Sequence, residues 1–107
     1  MLEVYNILWR GSKAGLLYYD TEKDRFSAKL LIEGKDYPHR LFGFNGKKEI
    51  NDKEFRDYLD GTVMPINRQN VSDVLEKIGL TYYDKWEIYK AYLGRNPKDY
   101  CEIERIE

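Results

Sequence analysis

Few side chains in this sequence are suited to chemistry. His39 is the only histidine, set in Tyr37-Pro38-His39-Arg40. A catalytic base needs an oriented partner and a pocket, and no nucleophile stands beside His39 in the sequence. A loop-facing or capping histidine is the plainer expectation. Cys101 lies between Tyr100 and Glu102. Acidic neighbours raise a thiol pKa, so a small buried apolar role outranks a reactive one. The acidic pairs Asp57/Asp60 and Glu102/Glu104 lack the spacing and third ligand of a calcium site. No phosphate-binding loop, dinucleotide fingerprint or kinase catalytic-loop pattern occurs. No enzyme activity, metal or cofactor is therefore expected.

Two segments could bind rather than react. Arg40, Phe42, Phe44, Lys47 and Lys48 interleave cations with aromatics, an arrangement that suits nucleic acid. Packing of both phenylalanines in the core is the stronger expectation. The second segment is Gly61-Thr62-Val63-Met64-Pro65-Ile66-Asn67-Arg68, a loop holding three apolar side chains. Such residues either tuck back into the core or form an adhesive patch.

The elements that must position these segments follow from local patterning. Residues 2–10, 16–19 and 25–32 read as three strands rich in β-formers. Gly11 and Gly15 bracket the first turn, and the polar run Asp20 to Asp24 forms the second. Short connections make these strands an antiparallel meander. Residues 33–50, punctuated by Gly34, Pro38, Gly43 and Gly46, read as a loop with one short extended piece at most.

The period then becomes helical. Asn51 and Glu54 form a capping box, with Phe55, Tyr58 and Leu59 on one face and Gly61 at the end. A second helix starts near Asn70 and carries Val71, Val74, Leu75 and Ile78, with Gly79 at its end. A third starts at Asp84, again with a Glu three residues on, and ends at Gly94. Residues 100–106 alternate apolar and charged, as a closing strand does, with Cys101 and Ile103 on its buried side. Strands followed by helices imply an α+β fold: an antiparallel meander plus a returning C-terminal strand, with three helices on one face.

Bulk composition agrees with one domain spanning residues 1–107. Aromatics reach 15%, including ten tyrosines, which excludes a disordered tail. The net charge is −1, so no strong field draws nucleic acid or acidic membranes. Residues 1–50 carry nine basic and seven acidic side chains (+2); residues 51–107 carry nine and twelve (−3). A single cysteine excludes an internal disulfide and fits a reducing cytoplasm. The N-terminus lacks a signal-peptide pattern, and no apolar run is long enough to span a membrane.

The ordered series of segments resembles the N-terminal subdomain of HipA-type toxin kinases, in its free-standing, HipS-like form. The matching pieces are the strand–turn–strand of Leu8 to Leu17 and the strand Asp24 to Ala28. They continue with the aromatic helix and proline loop from Phe55 to Pro65, the arginine at Arg68, and Asp84-Lys85-Trp86-Glu87-Ile88 leading into Gly94-Arg95. The sequence departs from the family at Asn96-Pro97-Lys98-Asp99-Tyr100, where an acidic residue followed by Gly-Ala is common. The loop before Pro65 is about one residue longer, and no kinase motif follows.

The resemblance implies a non-enzymatic component of a split toxin–antitoxin system. Such a protein docks on, and restrains, a serine/threonine kinase chain that lacks this subdomain. A DNA-binding antitoxin is usually a third component. Tyr58, Val63, Met64, Pro65, Ile66 and Arg68 are the expected contact residues. A nucleic-acid accessory module using Arg40, Phe42, Phe44, Lys47 and Lys48 is the alternative. A small nuclease toxin using His39 and Arg40 stands behind both, for want of an organised acid–base set.

Overall fold

The computed structural model describes every residue except 35, 44–46, 66–68 and 97. It begins with three antiparallel strands, β1 (Leu2–Trp9), β2 (Ser12–Asp20) and β3 (Arg25–Leu30). The first turn is tighter than the glycine bracket suggests. Arg10 and Gly11 both take positive φ, as a two-residue hairpin turn with strand-compatible twist requires. Gly15 lies instead within β2, one residue past an irregularity in the β1–β2 register. A Cβ there would meet the Lys29 carbonyl oxygen of β3 at 2.3 Å, so glycine permits the close strand approach. At the second turn, the Asp20 carboxylate accepts from the Glu22 and Lys23 amides.

Residues 33–50 hold more order than their punctuation suggests. A four-residue helix, α1 (His39–Phe42), follows Pro38 and stops at Gly43, which has φ of 80°. It is too short for a helical period to show in the sequence, and it puts Leu41 and Phe42 into the core. The two-residue strand β4 (Glu49–Ile50) then pairs with β3.

Helix α2 (Asp52–Thr62) opens on the expected capping box, with both reciprocal bonds between Asn51 and Glu54 present. It continues through Gly61 rather than ending there. The Gly61 carbonyl accepts from Arg40 Nη2 and Lys98 Nζ, so cations satisfy the helix's last turn. Helix α3 (Val71–Lys77) follows Asn70, whose φ of 68° is left-handed and whose side chain makes no cap bond. Helix α4 (Lys85–Ala91) is capped by Asp84, which accepts from the Glu87 amide.

The closing strand β5 (Cys101–Arg105) returns antiparallel to β1, giving the order β4-β3-β2-β1-β5. The fold is α+β, with a five-stranded antiparallel sheet and four helices among the described residues. Cys101 and Ile103 face inward, as the alternation requires. The outer edge of β5 is partly closed by its own chain. Ile103 N donates to the Leu93 carbonyl, and Cys101 N donates to the Asp99 carboxylate. Covering an edge in this way blunts strand addition by another chain.

The core lies between sheet and helices. Tyr5, Ile7, Leu17 and Phe26 meet Phe55, Leu59, Trp86 and Tyr89 in one continuous cluster. Aromatic edges dominate the contact. Trp86 stands edge-on to Tyr5 and Phe26, with ring centroids 5.4 and 5.0 Å away. Such pairs add about 0.5–1.5 kcal/mol beyond the area they bury.

Candidate docking site

Of the expected contact residues, Tyr58, Val63, Met64 and Pro65 lie along or just after the last turns of α2, and they differ in depth. Tyr58 is only 5% exposed and belongs to the core. Its hydroxyl donates to Asp99 Oδ2 at 2.9 Å and lies 3.5 Å from the Tyr89 hydroxyl. Tyr58 therefore supports the turn from beneath and cannot meet a partner directly, a correction to its expected role. The reason is helical phase: Tyr58 shares the buried face with Phe55 and Leu59. Val63 is also buried, Met64 is half-buried and Pro65 is exposed. Ile66 and Arg68 lie outside the described residues.

A groove of about 310 Å³ opens beside this turn. Val63, Met64, Val74, Ile88, Tyr89 and Tyr92 supply its walls. Tyr92 and the adjoining Leu93 are exposed large hydrophobics. The Met64 carbonyl is fixed by the Tyr83 hydroxyl, which donates to it at 2.5 Å. The chain entering the loop is thus pinned while the Pro65 ring faces solvent.

Beneath the groove lies a closed polar joint that sequence patterning did not reveal. Arg40 Nη1 pairs with Asp99 Oδ2 at 2.8 Å, and Arg40 Nη2 donates to Thr62 Oγ1. Asn96 Nδ2 donates to Asp99 Oδ1 at 2.9 Å. Asp99 thereby ties α1, α2 and the lead into β5 together. Burial, and then the neighbouring Tyr89, push the Tyr58 phenol far above its ordinary range. Burial also raises the Tyr89 phenol. The Cys101 thiol is pushed up to about 12, by burial first and by the Asp99 charge second. These groups stay neutral at physiological pH and form a structural joint without a nucleophile.

On the opposite flank of α2 is a wider cleft of about 670 Å³. Tyr19, Phe26 and Trp86 line its depth, with Leu59 and Asp60 from α2 and Tyr82 to Lys85 from the lead into α4. Trp86 is 8% exposed, and its Nε1 is a buried donor without an acceptor among the described residues. An unsatisfied buried donor costs about 1–3 kcal/mol. No sequence pattern singles out this cleft; of its residues, Asp84 reads as the start of a helix.

The residues of the alternative nucleic-acid surface are largely engaged. Phe42 is 2% exposed, and Arg40 is bound to Asp99. Lys47 pairs with Glu54 at 2.5 Å, and Lys48 with Glu33 at 3.1 Å. Phe44 lies outside the described residues. His39 packs edge-on against Tyr37, with ring centroids 4.1 Å apart. Among the described residues, no cluster of three His, Cys, Asp or Glu side chains could hold a metal ion. Nor is any helix among them long and apolar enough to cross a membrane.

No family model, curated protein or solved structure matches this chain.

Proposed function

We propose that this protein is a non-enzymatic binding component of a split HipA-type toxin–antitoxin system. It docks through the α2 C-terminal turn on a separate serine/threonine kinase chain and restrains it sterically. The observation that carries this reading is the apolar groove beside Val63 and Met64, with Pro65, Tyr92 and Leu93 exposed around it. The likeness of the ordered segments to the HipA N-terminal subdomain supports it. Pro65, Met64 and Tyr92 supply the apolar contact, over a base that Tyr58 and Asp99 hold rigid. Ile66 and Arg68 extend the contact, Arg68 through a charge-assisted bond to a partner carboxylate. The complex belongs in the cytoplasm, where a DNA-binding antitoxin completes it.

The test is co-purification with a HipA-family kinase chain that lacks its own N-terminal subdomain and is encoded next to this protein. Parent protein should bind and lower autophosphorylation. Met64→Asp combined with Tyr92→Asp should weaken binding at least tenfold while leaving the circular dichroism spectrum intact. No binding by the parent, or undiminished binding by the double variant, refutes the proposal.

A further inference from the structure

The sheet has two faces, and the described helices cover only one. The buried residues of all four helices join Tyr5, Ile7 and Leu17 in the cluster on the inner face. Alternation sends the strand neighbours of those three, Val4, Leu8, Leu16 and Tyr18, to the outer face. Val4 is buried there, opposite Tyr18, and stands outside the core cluster. Leu8, Leu16 and Tyr18 are half-buried. The centre of the outer face is thus an apolar strip along β1 and β2, with no described helix packed on it.

Charges flank this strip in a fixed order. Across the strands, one row reads Lys13, Leu8, Glu102, and another reads Lys29, Leu16, Asn6, Glu104. Cations therefore stand on the β2–β3 side and carboxylates on β5. The ends of a row lie two or three strand spacings apart, about 10–14 Å, and do not pair with each other. Among the described residues, Lys13 has no carboxylate and Glu104 no cation within ion-pair distance; Glu104 accepts from Asn6 Nδ2. Lys29 and Glu102 have one partner each, Glu49 at 3.9 Å and Arg95 at 3.4 Å. Arg25 and Asp20, the other charges of β2 and β3 on this face, lie at the hairpin end and are engaged by Asp52 and the turn amides.

We propose that the outer face binds a second copy of this chain, the two sheets stacking about a two-fold axis parallel to the strands. That axis exchanges left and right. Lys13 and Lys29 of each copy then meet Glu102 and Glu104 of the other, and the apolar strips meet at the centre. A two-fold perpendicular to the strands would set cation side against cation side, so the charge order selects one arrangement. A partner of one charge meets repulsion on one side of the strip, whereas a second copy meets attraction on both. β1 runs eight residues, about 27 Å, and five strands span about 19 Å. Stacking two such faces buries about 1,000 Å² in all, the lower bound of a specific interface, so the dimer is weak, with a micromolar dissociation constant. The α2 turn lies on the inner side of the sheet and stays free.

Sedimentation equilibrium on the full chain reads the interface directly. The parent should show a monomer–dimer equilibrium that weakens at least threefold between about 0.05 M and about 0.5 M salt, as screened ion pairs require. Lys13→Glu combined with Lys29→Glu makes both ends of each row acidic; Glu102→Lys combined with Glu104→Lys makes both basic. Each variant alone should dimerise at least tenfold more weakly than the parent. Mixed in equal amounts, the two should regain the parent affinity within about threefold, because every row end again meets its opposite. This rescue separates a lost interface from a lost fold. Should either variant lose its circular dichroism spectrum, the salt titration of the parent decides. A parent that stays monomeric, a dimer indifferent to salt, undiminished association of either folded variant alone, or no recovery in the mixture of folded variants overturns the proposal. No kinase is present in these experiments, so their outcome is separate from that of docking at the α2 turn.

Discussion

On one flank of α2, Tyr58, Tyr89, Arg40 and Asn96 close around Asp99. On the other, Tyr19, Tyr83, Asp60 and Asp84 surround Trp86 and leave a cleft open. The residue types are nearly the same, but the hydrogen-bond accounts differ. Asp99 accepts from Tyr58, Arg40, Asn96 and the Cys101 amide, and its side chain is 7% exposed. Trp86 has a buried donor with no acceptor among the described residues. A satisfied polar cluster fixes one arrangement, and an unsatisfied one is a standing cost to the fold. Composition cannot separate these cases, because tyrosine and aspartate serve both.

The largest expected effect tests the closed flank. Asp99→Ala removes the acceptor shared by four donors and leaves Arg40 without its carboxylate. Breaking a buried pair from one side costs about 3–5 kcal/mol. Arg40 keeps one-third of its side chain exposed, so the lower end of that range, about 3 kcal/mol, is expected. Asp99→Asn, which still offers one acceptor, should cost about 1 kcal/mol. Urea denaturation measures both. Equal losses for the two variants would show that the carboxylate charge, not the remaining acceptor, holds the joint, and the hydrogen-bond contrast between the flanks would weaken.

The closed joint also shows where sequence reading stops. The meander was legible because strand formers, turn residues and alternation all act within a few residues. The capping box of α2 was legible for the same reason, and Cys101 and Ile103 faced inward as their alternation required. The box expected at Asp84 and Glu87 forms only by half: Asp84 caps the Glu87 amide, while the Glu87 carboxylate accepts from Lys90. The Arg40–Asp99 pair bridges 59 residues of sequence, and no local pattern encodes it. Helix α1 is only four residues long, less than the repeat needed to reveal a helical face. At the candidate site, the loop was found from its apolar content, but its depth was not. The helical period set Tyr58 on one face with Phe55 and Leu59, while the resemblance made it a contact residue; the structure buries it with that face.

A middle-sized effect separates the wall of the open cleft from its depth. Arg56, a wall residue, is held by Asp52, whose carboxylate also accepts from the Phe26 amide at 2.9 Å. Burial pushes the Asp52 pKa up, but the bonds from Arg56 and the Phe26 amide outweigh it and leave it below the ordinary value of 3.8. A carboxyl with a lowered folded-state pKa stabilises the fold above its unfolded pKa. That contribution is lost as pH falls through the folded value. Asp52→Asn should therefore cost about 1–2 kcal/mol at pH 7. The gap from the parent should narrow steadily below about pH 4. A gap that stays constant down to pH 2 would mean that the charge of Asp52 contributes nothing to the wall.

The smallest expected change carries the sharpest test of the open flank. Trp86→Phe removes apolar area from a ring packed against Tyr5, Phe26 and Tyr89, a loss of about 1–2 kcal/mol at ordinary burial coefficients. The same substitution deletes a buried donor whose missing partner costs about 1–3 kcal/mol. The two contributions oppose each other, so the variant should lie within about 1 kcal/mol of the parent in thermal or urea unfolding. Substitution of an equally buried tryptophan with a satisfied indole would have no such compensation. A loss of about 3 kcal/mol or more would show that Trp86 Nε1 finds an acceptor in solution. Both flanks of α2 would then be closed joints.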